Sequence, residues 1–91
     1  MHYVYLLQSE STPTQRYTGL TSDLKTRLAK HNEGGVPRTS QYRPWTLRTY
    51  IAFSTREQAA AFERYLKSGS GRAFAGRHLW PGQSGERPRK E

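Results

Sequence analysis

Tyr3-Val4-Tyr5-Leu6-Leu7, followed after the polar segment Gln8 to Gln15 by Arg16-Tyr17-Thr18-Gly19-Leu20, is the stretch whose reading decides the fold. The first run is aromatic and β-branched, the composition of a buried strand. The polar segment carries Pro13 and reads as a hairpin connection. A linker this short cannot hold a crossover, so the second run is expected to lie antiparallel to the first.

Downstream, Thr21, Ser22 and Asp23 supply N-cap chemistry for a helix through about His31, and Asn32-Glu33-Gly34-Gly35 ends it. Val36 to Trp45 is a basic, turn-rich loop with Pro37 and Pro44. Thr46 to Phe53 alternates, which predicts a third strand with Leu47, Thr49, Ile51 and Phe53 on one side. Ser54-Thr55-Arg56-Glu57 fits a capping box opening a second helix to about Lys67, where Gly69 and Gly71 are expected to break it. Arg72 to Leu79 predicts a short last helix closed by Pro81. Gly82 to Glu91 has no large apolar side chain, so a folded domain over 1–81 and a mobile basic tail over 82–91 are expected. The class is α+β: a small, mainly antiparallel three-stranded sheet flanked by helices.

The chain has 91 residues, enough for one compact domain. Hydrophobic residues make up 33% and mean hydropathy is -0.96, yet the apolar residues are periodic rather than scattered. Lys and Arg total 15 against 7 acidic residues, a net charge of +8. That excess favours a polyanionic partner, because neutralising phosphates releases condensed counterions. A ribosome-bound protein, a ligand of anionic membrane surfaces and a merely cationic protein share that charge. The absence of cysteine excludes disulfides and thiolate zinc sites. His2, His31 and His78 lack zinc-ligand spacing. No window approaches the ~20 apolar residues of a membrane span. The chain opens directly in a strand-like run without a charged leader, which predicts a cytoplasmic protein.

Helical spacing then tests which polar residues sit where core residues belong. Leu24 and Leu28 define the core stripe of the first helix, and Arg27 and His31, also four apart, flank it. Arg27 either snorkels to water or has a ligand, and His31 either caps the helix end or does chemistry. In the second helix, Ala59, Phe62 and Leu66 face inward and Glu63 projects between Phe62 and Leu66. A carboxylate there pairs with a base such as Arg27, or binds a hard cation. Tyr3 and Tyr5 share a strand face and Tyr17 starts the next strand; such tyrosines are ordinarily packing residues whose hydroxyls find partners.

Together these residues resemble the signature of the GIY-YIG nucleases. Tyr3-Val4-Tyr5 resembles the first motif and Tyr17-Thr18-Gly19 the second. The segments from Asp23 to Asn32 and from Ala61 to Lys67 look like the two helices that follow. The likeness runs from about Tyr3 to Phe74. It is closest to small stand-alone bacterial members, which end in a stretch like Gly69-Ser70-Gly71-Arg72, and extends to the N-terminal domain of the excinuclease nuclease subunit.

That resemblance implies an endonuclease of low sequence specificity acting in DNA repair or recombination. Its implied catalytic residues are Tyr5, Tyr17, Arg27, His31 and Glu63, with Glu63 holding a single Mg²⁺ or Mn²⁺. Tyr5 or Tyr17 would act as general base or position the water, Arg27 would meet the phosphate, and His31 would assist proton transfer. DNA contacts are expected from Arg38, Arg43, Trp45, Arg72 and Arg77, with Thr39, Ser40 and Gln41 as hydrogen-bond donors to the backbone. A nucleic-acid binder that keeps the fold without turnover is the alternative.

Overall fold

The computed structural model of the chain describes residues 1–80; Pro81 and the tail expected over 82–91 lie outside the described residues. Strand β1 (His2–Ser9) lies between β2 (Arg16–Thr21) and β3 (Trp45–Phe53), and both neighbours run antiparallel to it. As the central strand, β1 is buried on both sides, which explains why Val4-Tyr5-Leu6-Leu7 is continuously apolar or aromatic instead of alternating.

The two sides of β1 meet different helices. Val4 and Leu6 pack with Ala59 and Leu66 of α2 (Arg56–Leu66) and Ala75 of α3 (Gly69–His78). Tyr5 and Leu7 pack with Trp45, and against Leu24 and Leu28 of α1 (Leu24–Asn32). The α+β class and its helix-flanked antiparallel sheet stand as expected.

Three local expectations change. The alternation of β3 is interrupted: Leu6 pairs with Thr49 but Leu7 with Leu47, a bulge that skips Arg48. The bulge sends Leu47 to the α1 side, whereas Phe53 stays on the α2 side. The N-cap of α2 is Thr55, whose hydroxyl accepts from the Gln58 N–H, so the capping pair lies one residue beyond the expected Ser54 and Glu57. Gly69 and Gly71 begin α3 instead of only breaking α2. Ser68 caps that helix by accepting the Gly71 N–H. Gly71 also lets the two helices cross closely, because a Cβ there would sit 1.7 Å from the Tyr65 carbonyl oxygen.

Candidate active site

Asp23 accepts hydrogen bonds from the Thr26 backbone N–H and hydroxyl, which hold its carboxyl below the usual range and start α1. Two turns later His31 is not at the helix margin but fully enclosed, at 0% exposure. The Tyr5 hydroxyl lies 3.0 Å from its Nε2, and the Thr39 hydroxyl 2.8 Å from its Nδ1. Thr39 also lies 3.3 Å from the Val36 carbonyl oxygen, to which its hydroxyl can only donate. One proton arrangement satisfies the set: Thr39 donates to Val36 and accepts Nδ1–H, while Nε2 accepts the Tyr5 proton.

Electrostatics agrees with that arrangement. Burial, then the Arg27 guanidinium, pushes His31 below its ordinary 6.5, so the ring is neutral. Burial foremost pushes the Tyr5 phenol well above its ordinary range; the neighbouring Tyr17 phenol and the Glu63 carboxylate add to this, and Arg27 opposes it. The proton therefore rests on Tyr5.

Tyr17 completes the aromatic cluster, its ring centroid 4.9 Å from His31 and 6.1 Å from Tyr5. Gly19 makes this possible. It pairs with Tyr5 across the strands, and a Cβ at Gly19 would fall 2.5 Å from the Tyr5 hydroxyl and 2.8 Å from the Tyr17 ring. Tyr5 is 2% exposed, whereas Tyr17 is half-buried and opens onto a cleft of about 280 Å³ with Arg38 and Thr39.

Arg27 and Glu63 both lie within electrostatic reach of the Tyr5 phenol, the first lowering and the second raising its pKa. The basic partner of Glu63, expected to be Arg27 or another base, is Lys67. Glu63 Oε2 meets Lys67 Nζ at 3.2 Å, an i,i+4 contact along α2, and not Arg27. The Glu63 side chain is 21% exposed and its other oxygen carries no hydrogen bond among the described residues. Among those residues no group of three or more His, Cys, Asp or Glu is placed to hold a metal ion. A lone carboxylate does suit Mg²⁺ or Mn²⁺. Magnesium keeps several waters and is commonly held by one or two carboxylates plus substrate phosphates.

The expected DNA contacts divide. Arg38 and Arg72 are exposed and line clefts on either side of β2. Arg77 is exposed, and so is Arg43, although Arg43 Nε donates to the Ser40 carbonyl at 2.7 Å. Trp45 belongs to the core instead: it is 4% exposed, its indole N–H donates to the Thr39 carbonyl, and Asn32 bridges its backbone N–H and carbonyl. Thr39 is 2% exposed and is committed to His31, so its hydroxyl is not a surface donor. Ser40 donates to the Pro37 carbonyl and Gln41 is exposed. Sequence reasoning passed over Lys67 and Arg16, which line both clefts; the i,i+4 spacing from Glu63 was the available signal for Lys67.

Comparison with known proteins identifies the family of this fold. A family model described as the GIY-YIG catalytic domain matches residues 1–76. UPF0213 proteins of Streptococcus pyogenes serotypes M5 (strain Manfredo) and M1 are each 41% identical over 66 residues, covering 71% of this chain and 70% of theirs. The solution structure of the UPF0213 protein BH0048 from Bacillus halodurans superposes with a TM-score of 0.52 at 29% identity, covering 90% of this chain and 89% of that one. With its sheet order, its paired strand tyrosines and a match over most of its length, the chain belongs to the GIY-YIG domain family.

Proposed function

We propose that the protein is a DNA endonuclease that hydrolyses phosphodiesters with one divalent ion on Glu63, serving DNA repair or recombination. The observation that supports this reading is the enclosed Tyr5–His31–Thr39 chain, with Tyr17 packed on it and Arg27 and Glu63 within electrostatic reach of Tyr5. A buried, fully ordered chain of polar groups is costly to maintain for packing alone.

The roles follow from exposure. Tyr17, at the cleft, meets the attacking water and orients it. Tyr5 cannot act as a base while protonated. It can pass its proton to the waiting Nε2 of His31 as its own oxygen takes up the proton from the water side, and Nδ1–H on Thr39 holds the ring in place throughout. In the free protein that transfer is uphill, because burial raises the donor and lowers the acceptor. Arg27 favours the phenolate and is suited to bridge to a phosphoryl oxygen through its planar fork. Glu63 opposes the phenolate for as long as its charge is uncompensated. A divalent ion, when bound, offsets that charge and supplies Lewis acidity to the phosphate and the departing 3′-oxygen. The cleft cations Arg16, Arg38, Lys67 and Arg72 suit backbone phosphate, which carries no base identity, so specificity for sequence is low.

The test is Mg²⁺- or Mn²⁺-dependent nicking of supercoiled plasmid. Glu63→Gln and Arg27→Ala should each lower the rate on the order of 100-fold or more. Equal nicking by both variants and the wild type would assign the activity to a contaminant. The Lys67–Glu63 ion pair favours a second reading, a binder without turnover in which Lys67 fills the cation's place. That reading predicts salt-sensitive DNA binding with no metal-dependent nicking.

A further inference from the structure

A second cleft, of about 440 Å³, lies among β2, the end of α2 and α3, on the sheet face opposite the Tyr5–His31 chain. Its lining has two parts. Leu66, Ala75 and Trp80 form an apolar floor, while Arg16, Lys67 and Arg72 bring three cations; among the described residues no acidic side chain lines the cleft, and Glu63 reaches only Lys67 from beside it. The volume is that of a small-ligand site. Arg16 lies over the Trp80 ring, 4.6 Å from its centroid, a guanidinium–indole stack of the kind on which nucleobases pile. Arg16, Thr18 and Lys67 also line the Tyr17 cleft, so the two sites join along the β2 edge.

We propose that this cleft binds one unpaired nucleotide of the DNA strand being cut, with its base against Leu66, Ala75 and Trp80 and its phosphate on Lys67 and Arg72. The assignment rests on the endonuclease reading for the presence of DNA. A paired base has both faces stacked on its neighbours and its edge engaged, so only an unpaired one can turn a face to this floor. The strand then runs from Arg38 and Tyr17 around the sheet edge into the cleft. This favours substrates with a single-stranded segment beside the cut.

Gly76 offers a way in. It lines the cleft, and a Cβ built there meets no atom of the described residues within 4 Å beyond its own helix backbone and chain neighbours, so a side chain at that position is accommodated by the described fold. Ala73 on the same helix is exposed and does not line the cleft. Binding of fluorescein-labelled dT8, rU8 and a blunt duplex is measured in EDTA with wild type, Gly76→Leu, Gly76→Glu and Ala73→Glu. The expected result is that wild type prefers dT8 to the duplex, and that both Gly76 variants weaken dT8 roughly tenfold or more. Ala73→Glu, with the same charge change as Gly76→Glu, should weaken it much less. Quenching of tryptophan fluorescence by dT8 should vanish in Trp80→Phe, which retains the buried Trp45. Equal losses in Gly76→Glu and Ala73→Glu, an unaffected Gly76→Leu, or a clear preference for rU8 or duplex would overturn the proposal. Because EDTA excludes turnover, failure of the cleft leaves Glu63-dependent nicking to stand, and failure of nicking leaves this binding result to stand.

Discussion

The two faces of one small sheet solve different problems with neighbouring residues of the same strand. On the α2–α3 face, Val4 and Leu6 meet Ala59, Leu66 and Ala75, an apolar contact fixed by shape. On the α1 face, Tyr5 and Leu7 meet Trp45, and enclosed among them is a run of hydrogen bonds through Tyr5, His31 and Thr39. Apolar packing is non-directional and tolerates adjustment. Buried polar groups must each be satisfied, so they dictate one geometry and penalise every other. The first face holds the domain together and anchors the helix that carries Glu63, whereas the second spends part of the core on ordering the Tyr5–His31–Thr39 chain.

Three perturbations probe that contrast, in descending order of effect. Leu6→Ala on the apolar face should cost about 2–5 kcal/mol in urea unfolding. Its nicking rate per folded molecule should stay near wild type, and a specific loss of turnover would mean that the faces are not separable. His31→Phe on the polar face should cost less, about 1–3 kcal/mol, since the Tyr5 and Thr39 hydroxyls lose a buried partner. Nicking should nonetheless drop on the order of 100-fold, because a phenyl ring cannot receive the Tyr5 proton. A His31→Phe protein of wild-type activity would leave the hydrogen-bonded chain with a structural role only.

The smallest effect is one of pH. His31 in the folded protein lies below its ordinary 6.5, so once the pH falls beneath 6.5 the unfolded chain takes up a proton that the folded one refuses. Stability should therefore fall on acidification from pH 7.5 to 5.5, with a slope of at most about 1.4 kcal/mol per pH unit from this group. Urea midpoints across that range measure the slope, and His31→Phe should remove this part of it. Asp23 does not interfere: its carboxyl is depressed, so its contribution is present above the ordinary 3.8 and is lost only below that.

Local pattern accounts for much of what is observed. The apolar run of β1, the hairpin to β2, the Asp23 cap and the stop at Gly34, with its φ of 84°, are set by residues within a few positions of one another. The inward placement of Arg27, His31 and Glu63 was equally legible, because 3.6-residue periodicity assigns a side of a helix without knowing what lies opposite. Trp45 shows the limit. In a basic loop, an indole reads as an exposed DNA contact, and nothing local announces that Asn32 and Thr39 enclose it. The β3 bulge is a second case, since an extra residue in a ladder exists only relative to its partner strand.

The sequence by itself determined the elements, their order and the polar residues that had to turn inward, since propensity and periodicity act over a few neighbouring residues. Tertiary structure alone decided the partners: His31 between Tyr5 and Thr39, Glu63 on Lys67, Trp45 in the core and Gly71 at the crossing of α2 and α3. Those choices depend on distances between residues far apart along the chain, and such distances exist only once helices have closed over both sides of the sheet.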